Sequence, residues 1–227
     1  MTAKRGRYSA GEGTRVLLIE TAERLFARRG YDGVTLADIR SAAGQHNASV
    51  IGYYFGSKEN LLRAIFAHRL PTISADREAV AERYAAAGAP TTRAALWILV
   101  QPLANTLHNG NNYVGLLDRL METEILSRMF SSVDPAMTAS GFGVNDALHA
   151  ALADMPEHLR LQRIGMVYES AMRTLARYNR SGTVPDRAEL SSLIDAWDGL
   201  LHAPPSDETR SIREAIRTER YVNTPGE

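Results

Sequence analysis

Between Thr35 and Glu59 the chain reads TLADIRSAAGQHNASVIGYYFGSKE, and few folds can accommodate that stretch. Thr35 followed three residues later by Asp38 is a capping-box start, in which the hydroxyl accepts from an orphaned amide and the carboxylate sits near the positive helix end. Leu36, Ile39 and Ala43 then recur at helical spacing, so one face can be buried. Gly44 is a natural left-handed terminator, Gln45 to Asn47 make a turn, and Asn47 can cap a second helix from Ala48 to Tyr54. That second helix is too short to stand alone in water and must be held by its neighbours, with Ile51 pointing into the core. Ser57 then caps a further helix. Two short helical patterns around a glycine-bearing break are the layout of a helix-turn-helix.

The front of the second helix is small and polar. His46, Asn47, Ala48, Ser49 and Val50 form the expected base-facing set, since Asn can pair with adenine and an apolar side chain such as Val50 can meet a thymine methyl. The segment from Thr14 to Leu62 resembles the DNA-binding domain of the tetracycline-repressor (TetR) family. The likeness is carried by ETAERLFARRGYDGVTL, by LADIRSAAG, by Tyr53-Tyr54-Phe55 and by Gly56-Ser57-Lys58-Glu59-Asn60-Leu61. Relative to the common pattern, QHNASVIG carries one extra residue and Gly52 stands where tyrosine is frequent. The resemblance implies that Lys58, Tyr53 and often Tyr54 touch the DNA backbone. By residue type alone, Tyr53, Tyr54 and Phe55 read as core aromatics. Thr35 can both cap its helix and present its amide to a phosphate.

Composition is consistent with a nucleic-acid partner once the charge is split along the chain. The net charge is zero, but residues 1–69 hold 11 Lys or Arg against 6 Asp or Glu, leaving +5 there and −5 in the rest. A basic head gains affinity by releasing counterions from phosphate, although an imbalance of this size is also ordinary surface charge. Residues 1–13, with Lys4, Arg5 and Arg7, read as a flexible basic arm, reaching DNA or merely solvated. With 227 residues and 44% hydrophobic content, the chain can bury one small and one larger core. There is no cysteine for disulfides or thiolate metal sites, and no signal-like or membrane-length apolar run, so a cytoplasmic protein without a membrane partner is expected.

The periodicity predicts an all-α chain in three parts: the arm (1–13), a three-helix DNA-binding domain (14–60) and a larger helical regulatory and dimerisation domain (61–227). Helix one is expected from Thr14 to Arg29. The helix opened by Ser57 meets Pro71 and continues to the Gly88-Ala89-Pro90 break as one bent helix or two in succession. Further helical patterns cover Thr91–His108 (interrupted at Pro102), Tyr113–Phe130, Asn145–Ala153, Pro156–Arg180, Asp186–Leu201 and Asp207–Tyr221. No phosphate loop, nucleophile elbow, paired zinc histidines or cysteine nucleophile is present, so no catalytic residue, cofactor or metal is expected. His149, Asp154 and His158 do not align on one helix face and read as surface residues.

Two further expectations follow. The stripe Ile164, Val167, Ala171, Leu175 and the stripe Leu190, Leu193, Ile194, Trp197, Leu201 can form a two-fold four-helix bundle with a second copy, or can face the subunit's own core. A small-molecule cavity is expected among Trp97, Leu103, Asn105, His108, Tyr113, Met121, Met129, Phe130, Met166, Tyr168 and Met172, where apolar walls meet a few polar anchors. An ordinary helical core uses the same mixture. Taken with the resemblance, the chain is read as a ligand-responsive transcriptional regulator, a repressor that binds a near-palindromic operator as a homodimer and is released by an unidentified small apolar effector. The alternative is a constitutive DNA-binding or architectural protein.

Overall fold

The computed structural model describes residues 3–86, 88, 91–121, 123–132 and 135–222, with the side chains of 3–10, 130–132, 136–137, 214 and 217–222 outside the described set. Among these residues the fold is all-α: α1 (Ala3–Arg29), α2 (Leu36–Ala42), α3 (Val50–Phe55), α4 (Lys58–Ala85), α5 (Thr92–His108), α6 (Tyr113–Met121), α7 (Ile125–Ser132), α8 (Pro135–Ala151), α9 (Glu157–Ser181), α10 (Arg187–His202) and α11 (Asp207–Val222). The first helix begins eleven residues before the expected Thr14, so the stretch read as a flexible arm is helical from Ala3. The side chains of Lys4, Arg5 and Arg7, and that of Phe130, lie outside the described residues.

Proline placement explains two of the other differences. α4 is continuous through Pro71, which is exposed, so the freed carbonyl of the preceding turn faces water and the helix need not break. α5 likewise runs unbroken through Pro102. The pattern read as one helix from Tyr113 to Phe130 is two, α6 and α7, with the Thr123 hydroxyl donating back to the Leu120 carbonyl (2.8 Å) at the break. α8 starts ten residues earlier than periodicity indicated, because its first half, PAMTASGFG, is too rich in Gly, Ser and Thr to show an apolar stripe.

The small N-terminal unit packs Leu18, Ala22 and Phe26 of α1 against Ile39 of α2, Ile51 and Phe55 of α3, and Leu61, Leu62 and Ile65 of α4. The larger unit packs α4 to α6 and α8 to α10 around Leu96, Val100, Leu116, Leu148, Val167 and Leu175. α1 lies directly against α6, so the two units share a wall. Gly115 on α6 makes that approach possible: a Cβ there would stand 2.8 Å from Asn179 Oδ1 and 3.4 Å from the Ala27 methyl on α1.

A buried carboxylate fastens this junction. Glu23 on α1 is 1% exposed and accepts from Arg69 Nε on α4 (2.7 Å) and from the backbone amide of Asn112 (2.6 Å), just before α6. Asn111 Oδ1 accepts the next amide, that of Tyr113 (3.1 Å), while the Asn111 carbonyl accepts from Asn179 Nδ2 on α9 (2.7 Å). The amides at the start of α6 are therefore satisfied by Glu23 of α1 and by Asn111 of the preceding loop, which Asn179 of α9 holds in place, and the anion sits at a helix N-terminus where the peptide dipoles favour it. On the other side of the domain, α10 is held to α5 by Thr92 donating to Asp198 (2.5 Å) and by the ion pair of Arg93 with Asp195.

Glu23→Ala leaves the Arg69 guanidinium with only the more distant Glu20 (3.9 Å) and the Asn112 amide without its acceptor. Removing one member of a buried pair costs about 3–5 kcal/mol. Urea unfolding should register a loss of that order, whereas a change under about 0.5 kcal/mol would show the contact to be incidental.

Candidate nucleic-acid interface and cavity

Thr35 and Asp38 make the expected reciprocal cap. The Thr35 hydroxyl accepts from the Asp38 amide (3.1 Å) and the Thr35 amide donates to Asp38 Oδ2 (2.8 Å). This arrangement holds the Asp38 carboxyl below its ordinary range, through hydrogen bonds from Thr35 and the nearby Arg29 charge. It also occupies the Thr35 amide, so Thr35 serves as a cap and has no free amide to offer a phosphate.

The turn and second helix differ from expectation by two residues. α3 begins at Val50, not Ala48, and the Asn47 side chain forms a local turn instead of a helix cap: its Oδ1 accepts from the Ser49 amide (3.0 Å) and hydroxyl (2.8 Å). Asn47 is left with its amide NH2 as the free group. His46, Asn47, Ala48 and Ser49 are exposed as expected, but Val50 is buried, 7% accessible, alongside Ile51 at 3%. Val50 is therefore a core residue that anchors the short helix, and its assignment to a thymine methyl is corrected. Adjacent positions can both be buried because the helix is wedged between α2 and α4.

The aromatic run separates by position. Phe55 is buried under the Arg15 guanidinium (5.6 Å to the ring centroid), Tyr54 is half-buried, and Tyr53 is 81% exposed with its ring edge-on to that of Tyr54 (5.0 Å). A tyrosine so exposed contributes little to the core, which frees its hydroxyl for another partner. Ser57 caps α4 by accepting from the Asn60 amide (3.1 Å). Lys58 follows, its Nζ resting 4.2 Å from the centroid of Tyr31 and 5.7 Å from that of Phe26, with partial burial drawing its pKa down and Asp32 opposing that shift. Tyr53 is exposed like residues 46–49, and the Lys58 ammonium is turned toward Tyr31 and Phe26.

A cavity of about 380 Å³ opens in the larger unit between α4, α5, α6, α7, α8 and α9. Of the eleven residues expected to line it, Leu103, Tyr113, Met121, Tyr168 and Met172 do, and the side chain of Phe130 lies outside the described residues. Trp97 instead stacks on Tyr84 (6.5 Å between centroids), Asn105 donates to Asp76 (3.0 Å), Met129 is buried elsewhere, and His108 and Met166 face solvent. Sequence reasoning missed Leu70, Ile73 and Arg77 from α4 and Thr138, Gly141, Phe142 and Asn145 from α8. A signal existed for Arg77, a cation in register with the buried Leu70, Ile73 and Val80 on the α4 apolar stripe. The α8 residues fall at i, i+3, i+4 and i+7, one face of a helix whose first half had no visible period.

The proposed dimer stripes turn inward. Ile164, Val167, Ala171, Leu175, Leu190, Ile194, Trp197 and Leu201 are buried within the single chain, Leu193 is half-buried against the same core, and Trp197 Nε1 donates to Ser170 (3.0 Å). They hold α9 and α10 to their own subunit. The outward positions of these helices are others, including Leu161 and Met166 on α9 and Ala188, Ser192, Ala196 and Gly199 on α10. Among the described residues no three His, Asp or Glu side chains gather as metal ligands, and no helix is long and apolar enough to cross a membrane.

Residues 18–65 match the family described as bacterial regulatory proteins, tetR family. The chain carries a TetR-family DNA-binding domain. The match spans the second half of α1, the capped α2, the turn, α3 and the first part of α4, the elements whose geometry is given above. Among solved structures, the fatty acid degradation regulator FadR from Bacillus halodurans superposes with a TM-score of 0.54 at 16% identity, covering 83% of this chain and 98% of that one. A gamma-butyrolactone receptor (ArpA-like protein) aligns at 21% identity over 83% of this chain and 98% of its own, with a TM-score of 0.46. The FadR likeness shows that the all-α fold, a small N-terminal helical unit followed by a larger helical domain, is shared over most of the chain. Comparison with curated proteins gives no match.

The TetR-family head makes the outer face of residues 46–58 a testable surface. Tyr53→Phe and Lys58→Ala should weaken binding to every duplex and lower the salt slope of Lys58→Ala by about one unit, whereas Ser49→Ala should change sequence preference. Fluorescence anisotropy across a salt series measures both, and an unchanged slope in Lys58→Ala would remove Lys58 from the phosphate-contacting set.

Proposed function

We propose that the protein is a ligand-responsive transcriptional repressor that binds a near-palindromic operator as a homodimer and releases it when a small, largely apolar effector occupies the cavity. The observation that carries this reading is the course of α4. Its first turns, capped by Ser57, pack Leu61, Leu62 and Ile65 into the core of the DNA-binding domain, and the same unbroken helix supplies Leu70, Ile73 and Arg77 to the cavity wall. A ligand that displaces those three side chains acts on a rod whose other end positions the head. Pro71 stands inside the cavity-lining stretch, between Leu70 and Ile73, and is a natural place for a bend to absorb the motion.

Two copies are required because one helix-turn-helix reads one half-site. The exposed Leu161 and Met166 on α9 and the small residues Ala188, Ser192, Ala196 and Gly199 on α10 support a second copy packing there, since small side chains let two helices approach closely. The effector releases DNA only through its different affinities for the two arrangements of the heads. A hundredfold loss of operator binding therefore needs about 2.7 kcal/mol of coupling.

Recovering bound genomic fragments would supply the operator, and anisotropy with that duplex then tests the reading. Leu103→Trp, which fills the cavity from α5, should leave operator affinity within about twofold and abolish release by any effector. Leu161→Glu should give folded monomers in sedimentation and lose palindrome recognition, while Trp197→Ala should cost about 3–5 kcal/mol of stability because it empties a core site. Continued dimerisation of Leu161→Glu would move the interface off α9.

A further inference from the structure

The cavity contains one charged group that no contact within the protein explains. Arg77 is 7% exposed, sits on the buried stripe of α4 and lines the cavity. Its Nη1 donates to the Ser140 hydroxyl (2.9 Å), which passes its own proton to Ser74 (3.1 Å), so the neutral hydroxyl chain carries no counter-charge. Its Nε is buried without any acceptor, and among the described residues no carboxylate forms an ion pair with it. A cation taken out of water without an anion is among the costliest arrangements a core can hold, and one removable by many substitutions.

The neighbouring polar groups add donors, not acceptors of matching charge. Tyr113 and Tyr168 line the same cavity, lie close enough to Arg77 to interact with it electrostatically, and have hydroxyls without a hydrogen-bond partner among the described residues. Burial pushes the Tyr168 phenol up to about 12 and that of Tyr113 higher still, so both keep their protons at neutral pH and remain available to donate. The remaining wall is chiefly aliphatic, with Leu70, Ile73, Leu99 and Leu117 prominent. A guanidinium edge and two phenols, with the neutral Thr138 and Asn145 the other polar groups on a mostly aliphatic wall, form the complement of a single planar anion on an apolar body.

We propose that the effector is a compact apolar carboxylic acid, bound as its carboxylate by Arg77 with help from the Tyr113 and Tyr168 hydroxyls. This rests on the cavity being the effector site, as argued above. The volume of about 380 Å³ stands near the lower end of the roughly 300–1,000 Å³ used by ligand pockets, which favours a small acid over a bulky conjugate.

The test compares isosteric probes on the full chain by isothermal calorimetry at neutral pH: decanoate, decanol and decylamine, and 1-naphthoate, 1-naphthalenemethanol and 1-naphthalenemethylamine. The wild type should bind at least one acid about tenfold to a hundredfold more tightly than its alcohol, and reject the amine. Arg77→Met keeps the volume and removes the buried charge, so its thermal midpoint without probe should equal or exceed the wild type while the acid's advantage over the alcohol disappears. Tyr168→Phe, which deletes one hydroxyl and no charge, should reduce that advantage only in part. If the wild type binds alcohol and acid equally, or if Arg77→Met retains the acid preference, the anion site is wrong although the cavity remains a ligand site. Binding of no probe by a protein whose cavity also refuses a broad ligand panel would overturn the effector reading together with the inference.

Discussion

The Glu23 carboxylate is the interaction on which the arrangement of the two units depends. It arises from α1, the longest element of the DNA-binding head, yet its acceptor oxygens are filled by Arg69 of α4 and by the amide that precedes α6. Shielded from water, such charge-assisted bonds are short and direction-dependent, so α1, α4 and α6 cannot slide past one another without breaking them. Gly115 on the same surface allows the close contact that keeps water out. Tyr113, one residue beyond the amide bound by Glu23, packs edge-on against Phe66 of α4 (5.7 Å between centroids) and forms part of the cavity wall. The polar joint and the cavity are therefore adjacent, separated by the first turn of α6.

This adjacency gives the coupling a physical route. An occupant of the cavity meets α4 at Leu70, Ile73 and Arg77 and α6 at Tyr113 and Leu117, the two helices that Glu23 ties to the head. Packed interiors respond to displacement by stepping between discrete arrangements more readily than by deforming continuously, so a small shift there can become a rotation of the head. Arg77 fits the same logic. A core that keeps an unpaired cation gives up stability when empty, and that deficit is recovered when an anion arrives.

Much of this was legible in the sequence, for reasons that differ from element to element. The Thr35 cap, the Gly44 break, the Ser57 cap and the core stripe of α1 rest on local chemistry, and local chemistry is what a sequence states directly. The head's family followed from those residues together. Val50 was misassigned because a six-residue helix wedged between two others buries neighbouring positions that periodicity would separate. The stripes on α9 and α10 were read correctly as apolar, but a stripe does not state whether its partner is the same chain or another copy. Trp97, Asn105 and Met129 do not line the cavity for a related reason: periodicity marks a buried face and leaves open which neighbour fills it, whereas His108 and Met166 lie on exposed faces. Arg77 was visible as an anomaly on α4, and its meaning depended on the tertiary finding that no carboxylate among the described residues faces it.

The central claim is that filling the cavity changes the separation of the two heads in a dimer. The chain has no cysteine, so Ala37→Cys, at an exposed position on α2, gives one spin label per subunit. Pulsed dipolar spectroscopy on that protein, with and without a carboxylate that saturates the cavity, reads the separation directly. The account predicts a shift of the label-to-label distance of at least about 2 Å, the scale of interface helix movements. Superimposable distance distributions at full occupancy would contradict it.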